Sequence, residues 1–405
     1  MKLCSILALT SVVAGMAVSA RAQDWPQWRG PNRDARAAGF RSPATWPAEL
    51  KEKWKVAVGD GVATPALVGD KLYVFTRQEG YEVLRCLNAA DGKELWQDKY
   101  EAQGATGPSQ GFSGPRSSPA VADGKVVTYG VRGTLSCTDA ATGKNLWRKE
   151  DSAAKPPRFF TSCSPLIADG RCIIQIGGED GGAIAAYALA TGDELWRWAG
   201  DGSAYASPAA MRVGDAKTLV TLTARKIVGV GLADGKLLWE LPFVAQGRAY
   251  NAATPIVEGA TVIISGAGRG TRAFAVARDG DSFAAKELWA NPDMAVQFDT
   301  PVLKDQLLYG ITQNGDLFCL DARDGKTLWT TKLGGRGFGS VVDAGSALLA
   351  LTPQGEMVVF EPTGKEFKKL AGYKVGTDTY AYPIPASGGI YIKDKDSLAL
   401  LSFAP

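Results

Sequence analysis

The chain has 405 residues, with 45 lysines and arginines against 42 acidic residues and no histidine. This near-neutral charge argues against a general nucleic-acid binder. The absence of histidine excludes a Ser-His-Asp or Cys-His nucleophile, a histidine-ligated zinc and a C-x-x-C-H haem site. Any catalysis must therefore use carboxylates, lysine, tyrosine or a bound cofactor.

Residues 1–22 have the pattern of a secretory signal peptide. A lysine precedes an apolar run over residues 3–18, and small residues flank a cleavage site near Ala22. We expect the mature chain to begin at Gln23 and to be periplasmic or secreted. The alternative, a transmembrane anchor, needs about 20 apolar residues. No later stretch is apolar enough, so we expect no membrane span.

Residues 23–51 form a lead-in that is rich in tryptophan and proline. This segment has no strand or helix period, and it is too aromatic to be simply disordered. We expect it to lie across the outside or one face of the domain that follows, which we place at residues 52–405. That domain starts with a short strand, residues 52–58, around Trp54.

One phrase, typified by Leu-Asp-Ala-Arg-Asp-Gly-Lys-Thr-Leu-Trp, recurs along almost the whole domain. Clear copies run from Leu87 to Trp96, Thr138 to Trp147, Ala188 to Trp196, Gly231 to Trp239 and Leu320 to Trp329, and degraded copies from Val276 to Trp289 and Phe360 to Phe367. With Trp54, the terminal aromatic residues are 38 to 51 residues apart. That spacing is typical of a four-stranded propeller blade, and the eight terminal aromatic residues predict eight blades.

Each phrase can be interpreted as a hairpin followed by a packed strand. The Asp-Gly or Thr-Gly pair closes a tight turn, because glycine adopts positive φ without steric cost. Adjacent Leu and Trp then point to opposite faces of the next strand. We expect both faces to be covered by neighbouring sheets, as in blades stacked around an axis.

The strands of each blade can be placed from apolar runs between glycine turns. In the first blade they are residues 63–68, 71–77, 82–88 and 93–99. The first strands of later blades open at Ser118, Ser164, Ser207, Thr254, Thr300, Ser340 and Tyr382, and all but Ser340 precede proline. Proline there is tolerable because the innermost strand of a blade is an edge.

The last blade predicts how the ring closes. Residues 381–387, 389–393 and 397–403 supply three strands, and residues 52–58 are a fourth strand without a blade. We expect these four to form one sheet, which removes exposed edges. The prediction is an all-β, eight-bladed propeller of four-stranded antiparallel blades.

Five cysteines follow the predicted signal peptide. Cys86, Cys137 and Cys319 occupy one repeated position, six residues before the turn glycine, and we interpret them as blade-core residues. Cys163 and Cys172 flank a predicted turn. The simplest register does not place them opposite one another, so we expect no disulfide there, although one remains an alternative.

The repeated A-x-[DT]-G-K-x-L-W phrase resembles the tryptophan-docking repeat of quinoprotein-like, or pyrroloquinoline quinone repeat, β-propellers, over residues 52–403. The lead-in WPQWRGPNRD is similar to the start of many exported bacterial members. The resemblance implies that the tryptophans are structural and pack one blade on the next. They are Trp54, Trp96, Trp147, Trp196, Trp239, Trp289 and Trp329.

The same resemblance includes quinone-dependent alcohol and sugar dehydrogenases. It implies for such enzymes a calcium ion held by Glu, Asn and Asp near the axis, an Asp base and often a vicinal cysteine pair. This chain has no adjacent cysteines. Asn251 and Asp299 precede two first strands at equivalent places and are the only catalytic candidates, although polar residues there usually make turns. We expect no metal site and no cofactor.

A second group of candidates lies in the connectors that lead into the innermost strands. Arginines from four blades, three of them followed closely by an aromatic residue, could surround the axis as a cationic mouth suited to carboxylates. They are Arg116, Arg158, Arg248 and Arg336, with Phe160, Tyr250 and Phe338. Alternatively these arginines are solvated, or they pair with Asp201, Asp299 and Asp378.

We therefore expect an exported, non-enzymatic propeller, similar to the outer-membrane assembly factor BamB, that acts as a protein-interaction scaffold. Its partners would be other envelope or secreted proteins, and the chain itself a monomer. The alternative is a compact quinoprotein oxidoreductase that binds pyrroloquinoline quinone and Ca2+. The fold alone does not separate the two, because one ring can serve both.

Overall fold

A computed structural model describes residues 24–150, 155–247, 249–334 and 337–403. The predicted signal peptide and the predicted mouth residues Arg248 and Arg336 lie outside these ranges. Within them the chain forms eight four-stranded antiparallel sheets, which confirms the predicted propeller. No helix in the same ranges is both long and apolar enough to cross a bilayer.

The first strand in the chain, β1 (Lys51–Ala57), stands apart, and blades 1 to 4 follow it in order. Blade 1 contains β2 (Ala66–Val68), β3 (Lys71–Gln78), β4 (Tyr81–Asn88) and β5 (Glu94–Glu101), and a short 3-10 helix (Gly107–Phe112) comes next. Blade 2 contains β6 (Ala120–Ala122), β7 (Lys125–Tyr129), β8 (Thr134–Asp139) and β9 (Asn145–Glu150). Blade 3 contains β10 (Leu166–Ala168), β11 (Arg171–Ile176), β12 (Ala183–Ala188) and β13 (Glu194–Trp198). Blade 4 contains β14 (Ala209–Val213), β15 (Ala216–Leu222), β16 (Lys226–Gly231) and β17 (Leu237–Pro242).

Blades 5 to 8 continue the same pattern. Blade 5 contains β18 (Ile256–Glu258), β19 (Thr261–Gly266), β20 (Gly270–Asp279) and β21 (Ser282–Asn291). Blade 6 contains β22 (Val302–Lys304), β23 (Leu307–Ile311), β24 (Asp316–Asp321) and β25 (Thr327–Lys332). Blade 7 contains β26 (Ser340–Asp343), β27 (Leu348–Leu351), β28 (Glu356–Phe360) and β29 (Lys369–Lys374). Blade 8 contains β30 (Ile384–Ala386), β31 (Gly389–Lys393), β32 (Ser397–Ser402) and, as its outermost strand, β1.

The ring closes through blade 8, as the sequence predicts. Strand β1 pairs antiparallel with β32, from Lys51 opposite Ser402 to Ala57 opposite Ser397. Its Trp54 indole also donates a hydrogen bond to the carbonyl of Ala89 in blade 1, at 3.2 Å. One short strand therefore completes the last blade and contacts the first.

The innermost strands start later than predicted, except in blade 7, where β26 begins at Ser340 as predicted. In seven blades the residues before these strands hydrogen-bond to one another in a row around the axis. Backbone N–H groups at this position donate to a side-chain hydroxyl of another blade, since an innermost edge offers them no ladder partner. The donor and acceptor pairs are Thr64 to Ser118, Ser118 to Ser164, Ser164 to Ser207, Thr254 to Thr300, Thr300 to Tyr382 and Tyr382 to Thr64, at 2.8 to 3.1 Å. We call these seven residues the axial hydroxyl ring.

The predicted packing of the Leu-Trp pairs on opposite, equally covered faces is wrong. In blade 1, Cys86 lies opposite Trp96 and Leu87 opposite Glu94, so Leu95 is the extra residue of a β-bulge. The same register shift occurs in the other blades. A bulge re-aims its extra side chain, and Leu95 is 49% exposed.

The tryptophans pack against the next blade's turn. A methyl group on Gly92 would lie 2.8 Å from the Trp54 ring, and one on Gly235 would lie 2.3 Å from the Trp196 ring. The turn glycine thus provides positive φ and also space for the neighbouring indole. Indole N–H groups of five tryptophans donate to carbonyls of the next blade's turn, namely those of Trp54, Trp147, Trp196, Trp289 and Trp329.

The five cysteines of the described residues are buried and free. Cys86, Cys137 and Cys319 have no exposed surface, as expected for blade-core residues. The alternative of a bond between Cys163 and Cys172 is not realised, because both carry free thiols.

Only part of the lead-in has the expected placement across the outside of the ring, where the Tyr373 hydroxyl of the outer strand β29 donates a hydrogen bond to the carbonyl of Pro47 at 2.7 Å. Trp25 and Arg29 have no exposed surface, and Arg33 is 4% exposed. Their contacts are with the innermost residues of several blades, so part of the lead-in lies inside the ring.

Candidate functional site

The candidate site is one end of the ring, where the connectors between successive blades meet above the axial hydroxyl ring. We call this end the mouth. The hairpin turns between first and second strands lie at the opposite end, because each innermost strand runs away from its connector. Of the connector residues that the sequence analysis singled out, we consider in turn those within the described ranges.

Arg116 lies partly buried in the mouth. Its guanidinium donates a hydrogen bond to the carbonyl of Phe112 at 2.9 Å. Burial lowers the pKa of Arg116, and nearby Asp60 and Tyr205 oppose that shift. Its other hydrogen bonds, at 3.5 Å, go to the carbonyls of Gly114 and Ser109, so the guanidinium is held by its own connector. No carboxylate of the described residues lies within 4 Å of it.

Arg158 and three aromatic residues form the most prominent feature of the mouth. The ring centroids of Phe159 and Tyr250 are 4.8 Å apart, and those of Tyr205 and Tyr250 are 5.8 Å apart. The exposed Arg158 guanidinium lies 5.4 Å from the Phe159 ring centroid. Connectors of three successive blades thus supply one aromatic cluster with a cation at its edge. We call Arg158, Phe159, Tyr205 and Tyr250 the mouth cluster.

Phe160 does not join the mouth cluster, although the sequence analysis placed it in the mouth. It is buried against Ala105 and Val131, with the Arg132 guanidinium 5.2 Å from its ring centroid. Its φ of +67° turns the chain so that the neighbouring Phe159 takes the position expected for it. Positive φ at a bulky residue cannot be anticipated from this local sequence.

Phe338 lies in the mouth on the other side of the axis. Its ring centroid is 4.7 Å from that of Phe298, which is 43% exposed. The backbone of Phe338 has a φ of +82°, a conformation that is costly for an aromatic residue. Tyr250 and Phe338 therefore belong to two separate aromatic groups.

Asn251, one of the two catalytic candidates, is occupied by structural hydrogen bonds. Its amide nitrogen donates to the carbonyls of Thr223 and Phe243 at 2.7 and 2.9 Å. Its amide oxygen accepts a hydrogen bond from Arg269. An amide with both ends satisfied by the protein has little capacity left for a ligand.

Asp299, the other candidate, lies partly buried at the mouth. It accepts a hydrogen bond from the backbone N–H of Gly339 at 3.2 Å. Burial raises the pKa of Asp299 to about 6, and the hydrogen bond and the positive charge of Arg29 only partly offset this. Its proton equilibrium therefore falls near neutral pH.

The Asp299 carboxyl predicts a pH-dependent stability. Its pKa is higher in the folded than in the unfolded chain, so its buried charge costs stability that appears as the pH rises from 4 to above 6. We expect Asp299→Asn to melt at a higher temperature than the parent at pH 7.5 and at nearly the same temperature at pH 4. Asp293→Asn, which changes an exposed carboxyl in the same connector, is the control and should show no such difference. Parallel melting curves for Asp299→Asn and the parent would contradict the assignment.

Two further carboxylates of the mouth, Asp201 and Glu179, have partners nearby. Asp201 lies 3.0 Å from the guanidinium of Arg225, which is not one of the four arginines that the sequence analysis singled out. Glu179 is within 3.3 Å of the Tyr205 hydroxyl. Within the described ranges no three acidic or cysteine side chains are grouped to hold a metal ion.

Comparison with known proteins places the chain between two groups. The profile of the family described as "Outer membrane protein assembly factor BamB" matches residues 80–331. BamB of Xanthomonas campestris pv. campestris is 26% identical over 275 residues, 64% of each chain. The quinohemoprotein alcohol dehydrogenase of Comamonas testosteroni is 31% identical over 143 residues, 34% of this chain and 19% of that protein. The chain thus matches less than two thirds of the length of either relative.

Solved structures show the same two groups. BamB from Moraxella catarrhalis superposes with a TM-score of 0.63 at 14% identity, over 87% of this chain and 99% of that one. The Comamonas testosteroni dehydrogenase gives 0.66 at 15% identity, over 96% and 81%. Identities this low show a shared fold only. The profile match, which spans more than half of the chain, shows the family: this protein belongs to the pyrroloquinoline quinone repeat β-propellers that the BamB profile describes.

Proposed function

We propose that this protein is a non-enzymatic β-propeller of the cell envelope that binds other envelope or secreted proteins through its mouth. It would be exported by a signal peptide, residues 1–22, cleaved near Ala22, and would act as a monomer. The observation that carries the proposal is the mouth cluster, which presents three aromatic rings and the cation of Arg158, for which the described residues offer no carboxylate partner within 4 Å. Aromatic residues and arginine are the side chains most enriched at energetically dominant positions of protein interfaces.

The partner is expected to present acidic groups. Arg158 and Arg116 have no carboxylate partner within 4 Å among the described residues. An acidic partner would satisfy both guanidiniums and could stack on the adjacent rings. Arg248 and Arg336 would extend this charge around the axis if their side chains face it.

The mouth can be tested by site-specific photo-crosslinking in cells. A photoreactive residue at position 159 is expected to capture an envelope protein, whereas one at Leu195, exposed on the outer rim, is not. Arg158→Glu should reduce the yield from position 159 several-fold, since charge reversal at an interface repels an acidic partner. Arg212→Glu, which reverses an exposed charge at the other end of the ring, is the matched control. Equal capture at positions 159 and 195, or no effect of Arg158→Glu, would contradict the proposal.

The alternative function is a compact quinoprotein oxidoreductase, and the 31% identity to the Comamonas testosteroni dehydrogenase favours it. Asn251 and Asp299 would be its catalytic residues. The hydrogen bonds that occupy Asn251 argue against this role, so no reaction step is assigned to either side chain.

A titration separates the two functions. The protein is mixed with pyrroloquinoline quinone and Ca2+ while the quinone absorption and the reduction of a dye with simple alcohols and aldoses are followed. We expect no saturable change in absorption and no dye reduction. Tight uptake accompanied by turnover would replace the scaffold proposal with the enzymatic one.

A further inference from the structure

Residues 24–37 contact the innermost part of every blade, although they belong to none of the eight sheets. Trp25 exchanges two backbone hydrogen bonds with Leu67 of blade 1, at 2.7 and 2.9 Å. The carbonyl of Pro26 accepts from Val121 of blade 2 at 2.8 Å. Ala37 donates to the carbonyl of Asp343 in blade 7, also at 2.8 Å. Backbone contacts alone therefore join this segment to three blades.

Arg29 adds two further blades. Its guanidinium donates to the carbonyls of Thr300 and Pro301 of blade 6 at 2.6 and 2.8 Å, and to the hydroxyl of Tyr382 of blade 8 at 3.1 Å. A fourth bond, at 3.1 Å, goes to the carbonyl of Arg33 within the segment. The side chain is fully buried. A buried cation is costly unless it is hydrogen-bonded, and here carbonyl dipoles of the ring satisfy it.

Arg33 and Trp28 contact the remaining three blades. The Arg33 guanidinium donates to the carbonyls of Ser164 and Pro165 of blade 3 and, at 2.8 Å, to that of Pro208 of blade 4. The Trp28 indole donates to the hydroxyl of Thr254 in blade 5 at 2.9 Å. The segment thus has a hydrogen bond to each of the eight blades.

The segment enters the ring from the end opposite the mouth. Asp24 accepts a hydrogen bond from Gly69, in the turn between the first two strands of blade 1, at 2.8 Å. Arg29, by contrast, reaches Thr300 and Tyr382 of the axial hydroxyl ring, at the mouth end of the innermost strands. The segment therefore spans the axial channel along the length of these strands.

We propose that residues 24–37 are an axial stopper, which ties the eight blades together at the axis and closes the channel at the end opposite the mouth. The ring is then a blind cup, and any ligand of the axis must enter and leave through the mouth. This inference does not depend on the proposed scaffold function, since a closed channel would constrain a small ligand and a protein partner equally.

Buried thiols beside the stopper offer a native reporter. Cys163 is 2% exposed and precedes a carbonyl that Arg33 binds. Burial raises the pKa of Cys163 to about 11, and the nearby charge of Arg33 partly offsets that effect. Cys86, in the core of blade 1, packs in a different cluster and serves as an internal reference.

The test measures maleimide labelling of each cysteine by mass spectrometry on the full-length protein. We expect Arg33→Met to raise the labelling rate of Cys163 at least tenfold, because the methionine side chain fills space but cannot donate hydrogen bonds to the carbonyls. The labelling rate of Cys86 is expected to stay unchanged. Arg41→Met, which alters an exposed arginine of the lead-in, should change neither rate. Unchanged labelling of Cys163 in Arg33→Met would overturn the proposal.

A second measurement uses the parent protein and tests whether residues 24–37 stay in the channel, even if Arg33→Met does not fold. Hydrogen exchange of the parent protein is expected to show the amides of Trp25 and Ala37 protected to the same degree as amides of the blade strands. Exchange of these two amides at the rate of an exposed loop would refute a stopper that stays in the channel.

Discussion

Replacing the closing strand, residues 52–58, with a glycine-serine linker of equal length is expected to lower the melting temperature by about 10 °C or more. The replacement removes the ladder partner of β32, in which the buried Leu398 and Leu400 lie opposite Val56 and Trp54. It also removes Trp54, which lies on Gly92 of blade 1 and 5.9 Å from the Tyr391 ring. Loss of a fully buried tryptophan costs about 3–5 kcal/mol, and the half-buried Trp54 contributes a part of that amount.

The linker keeps the connection between the lead-in and blade 1, so the loss can be assigned to the strand. Differential scanning calorimetry measures the shift. The control replaces residues 107–111, most of them exposed in the 3-10 helix, with glycine and serine, and we expect it to change the melting temperature by less than about 2 °C. A closing-strand variant that melts like this control would show that the ring does not depend on β1.

Gly235→Ala is expected to destabilise the ring by about 2–5 kcal/mol, the sum of two costs. The first is backbone strain, because Gly235 has a φ of +68°. The second is a clash, because the added methyl group would lie 2.3 Å from the ring of Trp196 in blade 3. Chemical denaturation at equilibrium measures the change in the free energy of unfolding.

Gly214→Ala isolates the first cost within the same blade. Gly214 has a φ of +60°, and no atom lies within 4 Å of the methyl group that the substitution would add. The difference between the two variants, which we expect to be about 1–3 kcal/mol, is therefore the cost of the clash between the added methyl group and the indole. Equal losses would mean that the glycines of the repeated phrase are needed only for their turns.

The repeated phrase made the architecture predictable because each copy contains the residues that fix its local structure. A glycine that must turn and an indole that must be buried recur at the spacing of one blade, and stacked blades satisfy both. The same reasoning placed the unpaired strand around Trp54 in the last blade, where β1 is found. The same reasoning predicted the wrong orientation for Leu95, because the β-bulge depends on how two strands pair and does not alter the alternation of apolar and polar residues.

The candidate site was only partly predictable. The connectors were located correctly, since they follow from the strand order, but the choice between Phe159 and Phe160 was set by a positive φ. Tyr205, which joins the mouth cluster, lies in a connector with no arginine beside it, so the arginine pattern could not reveal it. Arg29 and Arg33 gave no signal in the sequence, because their partners are backbone carbonyls, which every residue has.

The amino-acid sequence by itself determined the number of blades, their strands and the way the ring closes, because turns and strand periods arise between residues close in the chain. Only the tertiary structure decided what fills the axis and which side chains meet at the mouth. Those contacts join residues from different blades, such as Arg29 with Thr300 and Phe159 with Tyr250. Their geometry depends on the assembled ring, and no local pattern encodes it.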